Sequence, residues 1–446
     1  MRMNRKSVWG WAMYDWANSA FATTVMAGFF PIFFKQFWSS GADINVSTAR
    51  LGFANSCAGL LVALAAPVLG AMADKGAVKK KFLVFFAYLG VLMTAALFFV
   101  QKGQWAWAVF IYAMGSIGFS GANIFYDSLL PAVAGEDRID YVSSLGYSLG
   151  YLGGGILFLL NVLMTMWPRK FGFADAGAAV QFSFLSVALW WGLFTIFTIM
   201  WLPEKTARPV SLAPKQIVWE GFRQFARTFK KIRHLKTIFL FLLAYWFYID
   251  GVDTIIRMAV DYGLSIGFDA NHLILALLLV QFVGFPAALL FGKLGQRWGA
   301  RRAIFLAIGM YMFITLWGTM MRSPREFYIL AVVIGLVQGG IQALSRSYYS
   351  RLIPHDKAAE FFGFYNMLGK FATIIGPALI GIGGLAAKRL LMPPSPTVAQ
   401  MQQVGEAATR WGMASVLILF LAGGVLLYFV DEGKGKQEAE QLTETY

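Results

Sequence analysis

Twelve long apolar stretches, separated by short polar loops, constrain this chain more than any other feature of its sequence. A helix needs about 20 mainly apolar residues to cross a membrane, and every stretch is close to that length. The stretches cover residues 9–37, 48–73, 82–101, 104–130, 141–166, 181–202, 237–262, 270–294, 303–321, 327–353, 361–387 and 411–430. Only 14% of the residues are charged, against about 25% in soluble domains. We therefore predict an all-α membrane protein with twelve transmembrane helices.

One basic stretch, residues 203–236, divides the apolar segments into six and six. It carries nine Lys and Arg residues against two Glu, and Phe222, Phe225 and Phe229 recur among them at helical spacing. We predict two six-helix lobes, residues 1–202 and 237–430, the layout of a secondary transporter. The basic linker between them is predicted to hold an amphipathic helix on the membrane surface, either as a tether or as a regulatory lipid site. The polar tail, residues 431–446, is predicted to be disordered.

The distribution of charge predicts the topology. Lys and Arg are concentrated near the N-terminus and in the loops that follow even-numbered segments, which predicts that both termini are cytoplasmic. Short loops without long soluble insertions favour a bacterial inner membrane. The net charge of +15 arises in these loops, so it does not indicate nucleic-acid binding. A single cysteine, Cys57, and three histidines exclude a disulfide framework and leave little for a metal site.

Two pairs of similar stretches recur at nearly the same offset. Residues 70–76 (GAMADKG) follow the second segment, and residues 292–299 (GKLGQRWG) follow the eighth. Residues 126–131 (YDSLLP) match residues 349–354 (YSRLIP). The offsets are 222 residues for the first glycines and 223 for the first tyrosines. Two motifs in register indicate a duplication, so the two lobes are predicted to be pseudo-symmetric.

These glycine, acid and base patterns, followed by further basic residues, resemble the loop motif of the major facilitator superfamily. The resemblance implies a major facilitator fold in which the acid and the bases hold the cytoplasmic side shut. On this basis Asp74, Lys75, Arg297 and Arg301 are predicted to be gating residues. Gln296 stands where the second copy of the motif would carry its acid, so we expect the second latch to be weaker. The alternative is that these loops only cap helices and set the topology.

Three further regions are more specific. They are residues 11–24 (WAMYDWANSAFATT), residues 250–256 (DGVDTII), and residues 338–347 (QGGIQALSRS) together with 360–366 (EFFGFYN). They resemble one branch of the superfamily, the autophagy-related vacuolar amino-acid effluxers of fungi and their bacterial relatives. The resemblance implies secondary active transport of a small polar solute by alternating access, with an amino acid or a related zwitterion as the substrate. The apolar segments contain no nucleophile–base arrangement or metal-ligand cluster, so we predict no enzymatic activity.

Polar residues inside the apolar segments mark the predicted substrate pathway, because ionisable groups are costly in lipid and usually face the bundle interior. They recur at helical spacing, mainly on the segments that line the central cavity in the superfamily that this chain resembles. The candidate substrate-binding residues are Asp15, Asn18, Asn123, Tyr126, Asp127, Asp250, Asp253, Arg257, Gln338, Gln342, Arg346, Asn366 and Lys370.

Opposite charges on the two lobes favour a zwitterionic substrate. Arg346 in the second lobe suits a carboxylate, because a guanidinium can bind it in a bidentate manner. Asp15 or Asp127 in the first lobe suits an ammonium group. These two acids, together with Asp250 and Asp253, are also candidate carriers of a coupling proton.

Alternatives are open at this point. Asp253 and Arg257 are four residues apart and can neutralise each other. Asp15 and Asp127 lie near the cytoplasmic ends of their segments and could be gate residues. The cargo could be an amphiphilic drug or siderophore for efflux, a sugar or a nucleoside, and the alternative of another class is a transporter-like receptor or scaffold. We expect a small-molecule substrate, protons and membrane lipids as partners, no cofactor, no nucleic acid, and a monomer.

Overall fold

The computed structural model describes residues 4–41, 44–76, 78–203, 223, 235–265, 270–321, 323–372, 375–394 and 397–444. In these ranges every regular element is helical, and twelve helices are long and apolar enough to cross a membrane. The prediction of an all-α protein with twelve transmembrane helices is confirmed.

The first lobe contains α1 to α6. They run Arg5–Trp38, Ile44–Gly76, Lys79–Ala96, Trp105–Val133, Ile139–Met166 and Ala176–Trp201. Within α1, π-helical turns at Phe21–Phe29 and Phe34–Trp38 flank a short α-helical piece that begins next to Pro31. Pro31 has no backbone N–H to donate to the carbonyl four residues earlier, which is consistent with the departure from α-helical hydrogen bonding there. The lobe encloses an aromatic core.

The second lobe contains α7 to α12. Its first four helices run Lys236–Ser265, Ala270–Trp298, Ala300–Met320 and Pro324–Leu352. α11 consists of Ala358–Phe371 and Ile375–Leu391, and α12 of Val398–Ser415 and Leu417–Tyr428. Aromatic pairs fill this core too, such as Tyr311 stacked on Phe420 with ring centroids 5.6 Å apart.

The lobes meet along two pseudo-symmetric helix pairs, α2 with the first part of α11 and α8 with α5. Both contacts include the end of the molecule that carries the chain termini, which we call the terminal face, and the contact of α8 with α5 continues inward to Gln281. A side chain at Gly70 of α2 would clash with the backbone of Ala359, and one at Gly292 of α8 would clash with Ser144. The first glycine of each repeated motif therefore permits a close approach between lobes, and the structure is closed at its terminal face.

The end of the chain differs from its sequence prediction. Residues 431–446 were expected to be disordered, but Glu432–Glu444 form a helix, α13. The Thr237 N–H and hydroxyl, at the start of α7, donate to the Glu438 carboxylate at 3.1 Å and 3.0 Å. The Asp431 carboxylate accepts from the backbone of Gly433 at 2.9 Å. The prediction of disorder was wrong for this part because these specific contacts order a polar segment.

The predicted amphipathic helix of the linker lies outside the described residues, apart from Arg223. Its place on the membrane surface stays a prediction, as do the lobe boundaries at residues 202 and 237.

Candidate functional site

Arg346 of α10 lies between the lobes, and its side chain is only 3% exposed. Its Nη1 donates to Asp127 Oδ1 at 3.1 Å and its Nε donates to Ser143 Oγ at 2.9 Å. Its Nη2 donates to the Ser143 carbonyl at 2.8 Å and lies 3.6 Å from Asp15 Oδ2. Asp15, Asp127 and Ser143 belong to α1, α4 and α5, so every one of these contacts joins the second lobe to the first.

Asp127 and Arg346 lie on α4 and α10, which are equivalent helices in the two lobes, although the repeat aligns Arg346 with Asn123 and not with Asp127. Asp127 and Arg346 each lie six residues before the last residue of their helices, Val133 in α4 and Leu352 in α10. With a rise of about 1.5 Å per residue, both groups lie about 9 Å from the helix ends at the terminal face. Helices that occupy equivalent places in the two lobes therefore bring an acid and a base to the same depth.

Three aromatic rings surround the Arg346 guanidinium. Its central carbon lies 4.4 Å from the ring centroid of Tyr147, 4.8 Å from that of Trp11 and 5.2 Å from that of Tyr126. Trp11 and Tyr126 stack on each other at 4.3 Å, and the Trp11 indole N–H donates to the Tyr126 carbonyl at 2.8 Å. The rings supply cation–π attraction in a place where water is excluded.

Neighbouring polar groups hold the two carboxylates in place. The Tyr126 hydroxyl donates to Asp15 Oδ2 at 2.7 Å, and the Asn366 amide donates to Asp127 Oδ2 at 3.1 Å. One layer further into the first lobe, the Asn18 amide donates to the Asn123 side-chain oxygen at 2.7 Å. The residues that these contacts bring together, all of them candidates from the sequence, are Asp15, Asn18, Asn123, Tyr126, Asp127, Arg346 and Asn366; we call this set, with Trp11, Ser143 and Tyr147, the Arg346 cluster.

The charges of the cluster do not cancel. Two carboxylates, Asp15 and Asp127, share one guanidinium, which leaves one formal negative charge within the cluster. A buried ion pair is costly to break when one partner is left alone, because a buried charge then has no compensation. If Arg346 leaves the two carboxylates, another cation is therefore needed to take its place.

A second inter-lobe pair lies nearer the terminal face. Arg351 of α10 donates to Asp140 Oδ2 of α5 at 2.6 Å, and the Ser347 hydroxyl donates to Asp140 Oδ1, also at 2.6 Å. Sequence reasoning missed this pair together with Ser143 and Tyr147. The internal repeat could have drawn attention to Arg351, because the second copy of the motif carries this charged residue where the first copy carries Ser128.

Asp74, a predicted gating residue, contacts the opposite lobe. Its carboxylate accepts hydrogen bonds from the backbone N–H groups of Ala359 at 3.2 Å and Glu360 at 2.8 Å, in the first turn of α11. Lys79 pairs with the same carboxylate at 2.6 Å. An acid at a helix N-terminus satisfies free N–H donors and complements the helix dipole, so Asp74 holds α2 to α11.

The second copy of the motif makes weaker contacts. The Gln296 amide donates to the Asp137 carbonyl at 3.4 Å, across the equivalent helix pair. Arg297 is exposed and has no ion pair among the described residues. Arg301 donates to the Tyr428 carbonyl within its own lobe. The side chain of Lys75 lies outside the described part of the chain. The gating roles of these basic residues stay predictions.

The acids of α7 do not join the Arg346 cluster. The Asp250 carboxylate accepts from the backbone N–H groups of Ile375 at 3.0 Å and Gly376 at 2.9 Å, where the second part of α11 begins. Thr254 donates to the same carboxylate at 3.2 Å. Asp253 is half-buried, and the side chain of Arg257 lies outside the described residues, so their mutual neutralisation stays untested. Asp250 thus accepts from the first described turn of the second part of α11, within its own lobe.

The remaining candidates are spread over the second lobe. Gln342 and Lys370 are half-buried. Gln338 lines an apolar cavity of about 130 Å³ among α7, α8, α9 and α10. Its side-chain oxygen is buried and accepts no hydrogen bond from the described residues. None of these three side chains takes part in the contacts of the Arg346 cluster given above.

Twelve helices in two pseudo-symmetric lobes, with charged groups meeting between the lobes, have the architecture of the major facilitator fold. Solved structures support this. The chain is similar to the proton:xylose symporter XylE, with a TM-score of 0.66 and 14% identity over 98% of this chain and 97% of that one. It is also similar to FucP in the outward conformation, with a TM-score of 0.67 and 12% identity over 96% and 100% of the two chains.

Within this class, the chain belongs to the vacuole effluxer Atg22-like family, whose model matches residues 3–50 and 39–383. It is 38% identical to the uncharacterized MFS-type transporter YxiO of Bacillus subtilis (strain 168), over 97% of this chain and 96% of that one. It is 22% identical to autophagy-related protein 22 of Coccidioides immitis (strain RS), over 99% and 89% of the two chains. The chain is therefore a multi-pass membrane protein and a secondary transporter of a small molecule, and it is not an enzyme.

Proposed function

We propose that this transporter carries a small zwitterion, an amino acid or a close relative, by alternating access through the Arg346 cluster. The observation that supports the proposal is the direct pairing of Arg346 in one lobe with Asp15 and Asp127 in the other. The structure is closed at the terminal face, and in this state Arg346 of the second lobe is paired with both carboxylates of the first.

Opening of the terminal face separates those charges. Arg346 moves away with α10, and the two carboxylates stay with α1 and α4. Each group is then exposed to a cavity and needs a new partner, because an unpaired charge in a membrane interior is costly. A zwitterion supplies both partners at once, a carboxylate for Arg346 and a cation for Asp15 or Asp127. The solute would thus replace an internal ion pair.

Proton coupling is the second part of the proposal. The closed cluster contains two carboxylates and one guanidinium, so one of the acids can take up a proton without losing the remaining ion pair. Asp15 and Asp127 are the candidate carriers here, because both contact Arg346. Asp250 is a weaker candidate, since its carboxylate already accepts two backbone N–H groups.

Efflux of an amphiphile is a second candidate, favoured by the apolar cavity beside Gln338. An amphiphilic solute would place its apolar part among Ile255, Leu277 and Val280, which line that cavity, and would not require Arg346. The two candidates therefore differ in their dependence on the charged cluster.

The test is a binding and uptake screen with the purified full chain. Amino acids, peptides, sugars, nucleosides, organic acids and amphiphilic drugs would be compared by thermal shift at two pH values, followed by uptake into proteoliposomes. We expect stabilisation by zwitterions, lost in Arg346→Ala and weakened in Asp127→Asn. Arg351→Ala is the matched control, because it also removes an inter-lobe arginine but leaves Arg346 and its acids intact.

Stabilisation by amphiphilic drugs alone would refute the zwitterion proposal and favour the second candidate. Uptake whose dependence on pH survives both Asp15→Asn and Asp127→Asn would exclude these acids as proton carriers.

A further inference from the structure

We propose that the first lobe carries a guanidinium-binding site, that Arg346 of the second lobe fills this site when the terminal face is closed, and that the transported solute bears a guanidinium or amidinium group. This inference rests on the proposed transport of a zwitterion and specifies the cationic half of that solute.

The hydrogen-bond acceptors are arranged for a planar cation with several separate N–H donors. Three nitrogens of Arg346 are used: Nε contacts Ser143 Oγ, Nη1 contacts Asp127, and Nη2 contacts the Ser143 carbonyl with Asp15 close by. A guanidinium presents five N–H donors in a fixed fork. An ammonium group presents its donors from one nitrogen and cannot occupy these separated directions at the same time.

The acceptors themselves belong to the first lobe and are held there by their own contacts. Tyr126 donates to Asp15, and the Ser143 hydroxyl donates across to the Ala343 carbonyl while it accepts from Arg346. The ring of Trp11 is fixed by its hydrogen bond to the Tyr126 carbonyl. Ser143 and Asp127, which accepts from Asn366 of α11, also contact the second lobe. The contacts of Asp15 and Trp11 with Tyr126, in contrast, lie within the first lobe and are kept when Arg346 leaves.

The aromatic rings add recognition of a flat, weakly hydrated cation. Tyr147, Trp11 and Tyr126 all lie within 5.2 Å of the guanidinium carbon, measured to their ring centroids. Arginine stacks on aromatic faces because its guanidinium is planar and delocalised and is hydrated more weakly than an ammonium. All three rings come from the first lobe, like the acceptors.

The second inter-lobe arginine shows that closing the lobes does not require such a site. The contacts described for Arg351 are with one carboxylate, that of Asp140, and Arg351 stacks on no aromatic ring among the described residues. A simple ion pair is enough there to join α10 to α5. The extra acceptors and rings around Arg346 are explained if the same groups also bind a solute after Arg346 has withdrawn.

The charge of the empty site agrees with this assignment. Without Arg346, the first lobe presents the carboxylates of Asp15 and Asp127 in an aromatic pocket, with the backbone carbonyl of Ser143 as a third acceptor. A solute that bears a guanidinium at one end and a carboxylate at the other would place the first in this site and the second against the displaced Arg346.

Chemical rescue tests the site directly. The purified full chain with Arg346→Ala would be titrated with methylguanidinium and with methylammonium, and thermal unfolding would be followed. We expect methylguanidinium to stabilise the variant with roughly tenfold greater apparent affinity than methylammonium. The effect should disappear in Arg346→Ala/Asp127→Asn. In the control Arg351→Ala, methylguanidinium should give no such preference.

Equal stabilisation of folded Arg346→Ala by both cations, or by neither, would overturn the proposal. If the alanine variant does not fold, Arg346→Met keeps an unbranched apolar stem and permits the same titration. Retention of the preference after Asp127→Asn would also overturn it, since the site would then lie elsewhere.

Transport separates this inference from the proposed function. Proteoliposomes with the unaltered protein would be compared for uptake of arginine, lysine, citrulline and leucine. Preference for arginine over all three supports both proposals. Equal uptake of leucine and arginine supports transport of zwitterions and refutes the guanidinium site. If none of the four amino acids is taken up, the zwitterion proposal is refuted. The titration of Arg346→Ala with methylguanidinium then still decides whether the site binds a guanidinium.

Discussion

Replacement of Asp74 tests whether the terminal face acts as a gate. In the closed structure its carboxylate accepts the N–H groups of Ala359 and Glu360 in the opposite lobe and pairs with Lys79. Asp74→Ala removes all three contacts, while Asp74→Asn keeps one acceptor oxygen and loses the charge. The contacts to α11 cross between lobes, so both variants should lower the stability of the closed state relative to the open one.

The structure sets the expected size of the shift. Hydrogen bonds to a charged group contribute about 1.5–3 kcal/mol, and a helix cap contributes about 1 kcal/mol. We expect about 3 kcal/mol for Asp74→Ala and about half of that for Asp74→Asn. Since 1.4 kcal/mol is a factor of ten, the closed-to-open ratio should fall roughly 100-fold and 10-fold, respectively.

Gln296→Ala is the matched control, since Gln296 occupies the equivalent position in the second lobe. Its one inter-lobe hydrogen bond is 3.4 Å long and made by an exposed side chain. A long, neutral, solvated bond contributes under about 0.5 kcal/mol, so the ratio should change less than roughly threefold.

The assay is a distance measurement between spin labels at Arg138 and His355, which are exposed on opposite lobes at the terminal face. Both would be replaced by cysteine in a Cys57→Ser background, because Cys57 is itself exposed. A longer-distance population should appear in Asp74→Ala. An unchanged distribution together with a lower melting temperature would show that Asp74 stabilises the fold and does not gate it. If Gln296→Ala changes the distance distribution as much as Asp74→Ala does, the prediction that the second copy of the motif forms the weaker latch is refuted.

Three other changes have defined outcomes. Asp250→Ala should lower the free energy of unfolding by about 2–3 kcal/mol, because two backbone N–H groups of α11 lose their acceptor; a melting temperature equal to that of the unaltered protein would contradict this cap. Gly70→Val should hinder closure, since the new side chain meets the backbone of Ala359; the spin-label distances should lengthen, and no change would show that the helices can shift apart without opening. Glu438→Ala should detach α13 by removing the acceptor of Thr237, so limited proteolysis should cleave the tail faster, and equal cleavage rates would show that other contacts hold it.

Most of the fold could be predicted because the length of apolar stretches and the repeat are visible in the chain itself. The repeat also placed Arg346 at the position of Asn123, on the inward face of α10. Helical spacing put Asp15, Asn18 and Asp127 on faces where they could meet it. The sequence could not show that Arg346 pairs with both acids in one state, because that depends on how two lobes close.

The less successful predictions have physical causes. Asp15 and Asp250 were both predicted to bind substrate and to carry a proton, yet Asp250 caps the second part of α11. The backbone N–H groups of Ile375 and Gly376 donate to Asp250 and not to a carbonyl of their own helix, and hydropathy does not show this need for an acceptor. Asp140 and Arg351 escaped notice because they lie near helix ends, where charged residues are common and need no special explanation.

The ion pairs between the lobes have a kinetic consequence, since in the described residues all of them lie towards the terminal face. A solute that arrives from the opposite side meets Asp15, Asp127 and Arg346 already paired with one another, and must compete with an internal ligand. A solute that arrives through an open terminal face meets the same groups apart and unpaired. The two sides of the membrane should then saturate the transporter at different solute concentrations, although the gradients of solute and coupling ion alone set the direction of net flux.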